Sequence, residues 1–366
     1  MLAVTYLLHK HMESIVTLAD PKKRVTMKDV ANAAGVSSQT VSRVINNVSY
    51  VSTETRQRVE QVIDELGYRP STLARSLSQQ RSYTLGVVLF GLSHVGPSRT
   101  LNGIADAAEK LDYMLLMKEL DDHYDLESVK EVIDSLLSRQ VDGIIWAAPE
   151  IGESHAWIKD LLDSIPVPVI FSAMEPRQSI SSVTTDNYAG GVLAVQHLLD
   201  IGRRKIAHLS GPMLWWEATE RKRAWRDTLE KAGLEAPEHA CSEGNWSAKS
   251  GEPAFRELVE NYPDMDAVFV GNDQMALSVL RECHRLKIDV PNDLAVVGFD
   301  DIPEAAHFCP SLTTVSQDQQ LIGESAVNHI VKMIQASQQG FSVAAEAHFI
   351  TPTLTLRESS GFFNRA

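Results

Sequence analysis

Cysteine is scarce: Cys241, Cys283 and Cys309 are all there is in 366 residues, and none stands in C-x-x-C spacing. That excludes a disulfide framework or a cysteine-rich zinc site and fits thiols kept reduced in the cytoplasm. His307 stands near Cys309, but two candidate ligands do not define a metal site. Long apolar runs are also missing, since nothing approaches the ~20 residues of a membrane span. The opening, Met1 to Tyr6 followed by Leu7-Leu8-His9-Lys10-His11, places its charge after the apolar run and has no small-residue cleavage site. That is the reverse of a secretory signal, so residues 1–22 are expected to be a disordered or loosely helical extension. No G-x-x-x-x-G-K-[ST] loop occurs, nor a G-x-G-x-x-G after the first strand. Asp300 and Asp301 are adjacent, which makes them a poor glycosidase pair: such carboxylates flank the bond at ~5–9 Å. No cofactor, metal or catalytic residue is therefore expected.

Negative charge is in excess, with a formal net of −14, but it is unevenly spread. Residues 21–81 hold ten Lys or Arg (Lys22, Lys23, Arg24, Lys28, Arg43, Arg56, Arg58, Arg69, Arg75, Arg81) against five acids. A basic head on an acidic body suits one part that neutralises phosphates and another that repels nucleic acid.

The basic segment is strongly patterned. Val30, Ala31 and Ala34 follow Met27 at helical spacing, Val44 and Ile45 follow Val41, and Val62, Ile63 and Leu66 follow Val59. Thr26 with Asp29 reads as a capping box, Ser37 and Ser52 as N-caps, and Gly67 as a stop. The turn Ala34-Gly35-Val36-Ser37 sets the first two helices as a helix-turn-helix. Ser38, Gln39, Ser42 and Arg43 then face outward, where they can reach base edges.

Three stretches carry a family resemblance: Thr26-Met27-Lys28-Asp29-Val30-Ala31, then Gly35-Val36-Ser37 running into Gln39 to Asn46, then Gly67-Tyr68-Arg69-Pro70. The pattern resembles the headpiece of the lac repressor family of bacterial transcription regulators. The resemblance implies a DNA-binding set of Thr26, Ser37, Ser38, Gln39, Thr40, Ser42, Arg43, Asn46, Tyr50, Ser71, Ala74 and Leu77. Within it, residues 71–81 stand as a hinge helix and linker. Thr72 to Leu77 is too short to be helical alone, and Leu77 is the wedge expected to unstack a base step from the minor groove.

From Tyr83 onward Val/Ile/Leu-rich strands alternate with helices. Strands are expected at Thr84 to Phe90, Tyr113 to Lys118, Gly143 to Ala147, Pro168 to Ser172, Ser182 to Thr185, Lys205 to Ser210, Ala267 to Val270 and Leu294 to Phe299. Strands this uniformly apolar imply parallel sheets covered on both faces, with ligands outside their carboxyl ends. The resemblance extends here to a two-lobed, periplasmic-binding-protein-like core. The expected organisation is an α-helical helix-turn-helix headpiece (23–70), the hinge (71–81), an α/β two-lobed effector-binding core (82–357) and a short tail (358–366). The lobes are expected at 82–182 plus 314–338 and at 183–313 plus 339–357.

Arg221, Trp246, Asn272, Asp300 and Gln317 stand at or beyond expected strand ends. An Arg fork, amides, acids and an indole suit a sugar, the polar groups fixing hydroxyls and the ring covering the C–H face. In the family, the matching positions contact inducer. Phe90, Pro97, Trp146 and Trp216 complete the expected ligand-binding set. Two departures from the family pattern add aromatic surface, Trp146-Ala147 in place of an amide-containing pair and the indoles of Met213 to Glu217 in place of small residues. A third, Phe171-Ser172-Ala173, stands where an acid is expected. The added aromatic surface implies a longer sugar, such as a β-galactoside or β-glucoside disaccharide; a purine-type corepressor is the alternative. Asp300-Asp301 could instead cap Ile302 onward, and Arg221 could be one charge of a surface run. No leucine heptads follow Arg357, so the resemblance implies a homodimer on a palindromic operator rather than a coiled-coil tetramer, with sugar occupancy loosening the hinges.

Overall fold

The computed structural model describes residues 25–45, 50–69, 81–120, 125–151 and 156–361. The chain divides into two units, residues 1–81 and residues 82–366. Asn46, Ser71, Ala74 and Leu77, with residues 1–22, lie outside the described residues.

In the first unit the expected helices form as α1 (Met27–Ala34), α2 (Ser38–Ile45) and α3 (Thr53–Leu66). The capping box is complete: Asp29 N donates to Thr26 Oγ1 at 3.3 Å and Thr26 N to Asp29 Oδ2 at 2.8 Å. Ser37 accepts from Thr40 N and Ser52 from Thr55 N, so each helix start has its orphan donors met locally. Gly35 and Gly67 take the left-handed conformation that ends α1 and α3. The turn at Gly67 also folds Tyr68 back, its N–H on Ile63 O at 3.0 Å. Tyr68 thereby joins Val30, Ala31, Ala34, Val41, Val44 and Val59 in one small core.

The second unit contains two six-stranded sheets. The first has β1 (Thr84–Phe90), β2 (Met114–Leu120), β3 (Gly143–Ala147), β4 (Val169–Ser172), β5 (Ser182–Thr185) and β11 (Ala347–Ile350), ordered β11-β5-β4-β3-β1-β2 and parallel throughout. Strand alternation decides what covers it. Leu85, Val87 and Leu89 face α4 (Val95–Lys110) and α10 (Gln319–Gln338), while Val88 and Phe90 face α5 (Leu126–Leu137), Trp146 and Trp157. Helices α4 and α10 cross so closely that a Cβ on Gly103 would lie 2.0 Å from the backbone oxygen of Gln320.

The second sheet is ordered β12-β10-β9-β8-β6-β7, from β6 (Ile206–Ser210), β7 (Cys241–Glu243), β8 (Ala267–Val270), β9 (Ala295–Asp300), β10 (Thr313–Ser316) and β12 (Thr353–Thr355). One face packs on α6 (Asn187–Asp200) and α7 (Trp216–Lys231), the other on α8 (Ala248–Asn261) and α9 (Asp273–Leu286). Only β12 runs antiparallel, against β10.

The sheets correct the expected lobe borders. Ser182 and Val183 pair with Phe171 and Ser172, so β5 stays in the first lobe; β10 pairs with β9, so Thr314 to Ser316 stay in the second. Ala347 to Ile350 pair with β5 and return to the first lobe. The chain therefore crosses between 185 and 187, 316 and 319, and 350 and 353. Strand–helix alternation shows where strands lie but not which sheet each joins, because pairing is a long-range choice. The expected tail is likewise corrected at its start. Ser359 Oγ donates to Val296 O, and Ser360 Oγ bonds Thr313 Oγ1 and His197 Nε2, which holds residues 358–360 in the core.

Candidate functional site

On the headpiece, α2 buries Val41 and Val44 and leaves Ser38, Gln39 and Arg43 exposed, with Ser42 partly so. Tyr50 is 87% exposed, far more than a tyrosine placed for packing. Thr26, Ser37 and Thr40 are engaged in caps, Thr26 Oγ1 on Asp29 Oδ2 and Ser37 Oγ on Thr40 Oγ1. The structure thus separates residues that hold the motif from residues it presents.

In the second unit a cleft of about 830 Å³, counting its open mouth, lies at the carboxyl ends of both sheets. Arg221 is at its floor, 5% exposed, although Lys222 and Arg223 beside it pair with Glu238 and Glu220 at the surface. Helical spacing turns only Arg221 inward, which removes the surface-run alternative. Its Nε and Nη2 donate to Asn187 Oδ1 at 2.9 and 2.8 Å, Nη1 donates to Gly271 O, and its guanidinium lies 3.6 Å from the Phe299 ring centroid. Burial pushes its pKa down while Asp300, Glu217 and Asp273 oppose that, and an arginine stays charged.

Asp300 accepts from Gln317 Nε2 at 2.5 Å, and Gln317 Oε1 accepts from Thr185 Oγ1 at 3.0 Å. This relay starts in one lobe, passes through a crossing segment and ends in the other. Burial raises Asp300 to about 6, against Arg221, the Gln317 bond and Arg99. The capping alternative for Asp300-Asp301 fails: the Ile302 N–H goes to Asp273 Oδ2, and Asp301 is ion-paired with Arg357. Asp273 is fully buried and is pushed up by burial and by Asp300.

Asn272 caps α9 through Met275 N and donates to Trp246 O at 2.9 Å. Trp246 takes φ 68, an unusual backbone for a bulky residue, and Asp300 and Asp301 are also at positive φ. Its indole lies over Gly211, where a Cβ would come within 2.2 Å of the ring. Trp246 is therefore less exposed than its apolar-poor surroundings suggest, at 7%, yet it lines the cleft.

Five expected ligand residues, Arg221, Trp246, Asn272, Asp300 and Gln317, meet in this cleft together with Pro97. Three do not line it. Trp146 is fully buried against Trp157 and Phe171, because its place in the β3 pleat faces the covering layer; its neighbour Ala147 lines the cleft instead. Phe90 belongs to the same buried layer and meets the cleft only through the edge of Trp215. Trp216 opens α7, and the extended residue before it, Trp215, supplies the indole to the cleft.

Sequence reasoning missed His94, Asn187, Glu217 and Gln319, and it counted Trp215 only among the added indoles while naming Trp216. His94, Asn187, Trp215, Glu217 and Gln319 all line the cleft. Asn187, two residues past β5, satisfies the strand-end rule that found the others. Four cleft-lining polar atoms are buried with no hydrogen-bond partner among the described residues: Ser172 Oγ, Glu217 Oε2, Trp246 Nε1 and Gln319 Oε1. Buried polar groups are normally paired, so a cluster of unpaired ones beside two indoles marks a site built for a polar ligand. At the mouth, Trp215 bridges to Ile151 and Trp216 N donates to Glu150 O at 3.2 Å, tying the lobes.

A helix-turn-helix unit joined in one chain to a two-lobed ligand-binding unit defines a DNA-binding regulator that answers to a small molecule. Residues 26–71 match the model for bacterial regulatory proteins of the lacI family, and residues 195–360 match a periplasmic binding protein-like domain. Catabolite control protein A of Priestia megaterium is 34% identical over 328 residues, 89% of this chain and 97% of its own. The lac repressor dimer bound to operator and the anti-inducer ONPF is 31% identical with a TM-score of 0.83, covering 92% of this chain and 99% of that one. The transcriptional regulator CelR–cellobiose complex is 30% identical with a TM-score of 0.68, covering 92% and 100%. The chain belongs to the lacI family of bacterial regulatory proteins. It is a DNA-binding transcriptional repressor regulated by a small-molecule effector.

Proposed function

We propose that this repressor works as a homodimer on a palindromic operator and releases it when a sugar occupies the cleft. The observation that carries the reading is the set of unpaired polar atoms flanked by the Trp215 and Trp246 indoles above the Arg221–Asn187 pair. Hydroxyls satisfy such atoms, and an indole covers the C–H face of a sugar ring. The likeness to a regulator solved with cellobiose supports a disaccharide. The DNA contacts we assign to Ser38, Gln39, Ser42, Arg43 and Tyr50, on the exposed side of α2 and just beyond it, and hinge ordering at 71–81 is the assigned switch. No catalysis is assigned: of the adjacent carboxylates Asp300 and Asp301, Asp301 is committed to Arg357. No helix among the described residues is long and apolar enough to cross a membrane. We place the protein with its DNA in the cytoplasm. A thermal-shift screen of mono- and disaccharides tests the effector, since a ligand at ~100 times its dissociation constant stabilises by ~2.7 kcal/mol. A sugar that stabilises without being turned over supports the reading; stabilisation by purines alone would overturn it.

A further inference from the structure

One acid in the cleft has a carboxylate oxygen with no partner among the described residues. Glu217 stands in the first turn of α7 and lines the cleft between Trp215 and Arg221 in sequence. Its Oε2 is buried and unpaired among the described residues. Arg221 lies one turn further on, and each of its three nitrogens already donates to Asn187 or Gly271. A buried carboxylate oxygen lacking a donor is costly, and two things relieve it: a proton of its own, or a donor carried in by a ligand.

We infer that Glu217 determines effector specificity, its carboxylate accepting a hydrogen bond from a hydroxyl of an uncharged sugar, so that binding below neutrality releases a proton and anionic sugars are rejected. This rests on the sugar reading of the same cleft. The charged groups around Glu217 fit it. Glu150, in the segment after β3, is held by Arg177 and by Glu175 N and still adds negative charge at Glu217. Asp300 stands at the end of β9 with Gln317 on it, and Asp273 lies buried behind Asp300. His94 packs its ring edge-on to Trp215, and Arg221 is on α7 itself. The charged residues lining the cleft are Glu217, Asp300 and Arg221, two acids to one base, which disfavours phosphates and uronates. Arg221 in turn opposes an ammonium. Burial raises Glu217 to about 7, with its own backbone N–H and Arg221 resisting and Glu150 reinforcing. A donor from the ligand stabilises the ionised form, so affinity rises with pH through neutrality.

The test is calorimetry on the full chain with cellobiose, lactose, glucose, glucosamine and glucuronate, in two buffers of different ionisation enthalpy. Neutral sugars are expected to bind about tenfold more tightly near pH 8 than near pH 6, with proton release at the lower pH. Glu217→Gln is expected to flatten that dependence, leaving only the weaker contribution of Asp300 toward lower pH, and to admit glucuronate. Should E217Q fail to fold, proton release by the native chain decides. Neutral sugars bound with no proton release, or glucosamine bound most tightly, would overturn this role while sparing the sugar reading. Failure of every sugar at both pH values would overturn the sugar reading itself, and this role with it.

Discussion

The headpiece and the cleft meet opposite physical demands. On the headpiece, the polar groups assigned to DNA are exposed, and the helix ends are satisfied by local caps such as Thr26–Asp29. In the cleft, the functional groups are buried and tied to one another, as in Arg221–Asn187 and Thr185–Gln317–Asp300, with four atoms left unpaired. A surface that reads a polyanion can draw its pairing energy from the partner, with water meeting its needs until then. A buried site must be preorganised, and its scaffold carries the cost. Damage to the cleft should therefore reach stability and ligand response together, whereas damage to the headpiece surface should reach DNA alone.

Arg221→Ala should break this contrast most forcefully. It strands Asn187 Oδ1 and the Gly271 carbonyl and removes the charge that favours Asp300 ionisation. Urea unfolding should show a loss of roughly 3–5 kcal/mol, as for a buried charge partner removed, along with loss of sugar response. Unchanged stability would mean that Arg221 is not part of the scaffold.

The pH dependence sharpens it next. The folded chain holds Glu217 at about 7, above its ordinary 4.5, so the folded state binds the extra proton between those values. Stability therefore falls as pH rises through that window and levels off above it. Glu217→Gln should gain about 1–3 kcal/mol on the native chain near pH 8 and nothing near pH 4, in denaturant titrations. A gain that is constant with pH would reject burial as the cause.

Headpiece changes should be milder and separable. Arg43→Ala is expected to cost about 1–3 kcal/mol in operator binding and relax base preference, leaving sugar affinity and core unfolding unmoved. An equal loss on random DNA would reduce Arg43 to a phosphate contact. Thr26→Ala removes the cap oxygen of α1 and should cost about 1 kcal/mol of headpiece stability, seen as a shifted helical melting transition. No shift would show that Asp29 alone carries that helix start.

The headpiece was legible because its determinants are local. Caps, apolar spacing and glycine stops lie within a few residues of what they control, and only the packing of Tyr68 onto the core was not foreseen. Strands such as Thr84–Phe90 and Gly143–Ala147 were equally plain from their apolar runs. What escaped depended on distant partners. β5 and β10 each stayed beside the strand before them, and β11 crossed back to pair with β5, a choice that apolar alternation alone does not display. Trp146 and Trp215 show the same limit in one residue type. Both are indoles at strand or helix boundaries, yet the pleat buries one while an extended cap residue delivers the other to the cleft. Asn187 and Glu217 needed no distant information, only the strand-end rule applied once more and a lone acid noticed among aromatics.

The coupling between the cleft and DNA is most directly tested by fluorescence anisotropy of a labelled operator bound to the full chain, titrated with a sugar that stabilises the core. The operator should be released, with a midpoint at the sugar concentration that half-occupies the cleft, and Arg221→Ala should hold the operator throughout. A sugar that fills the cleft while the operator stays bound at every concentration would contradict the coupling.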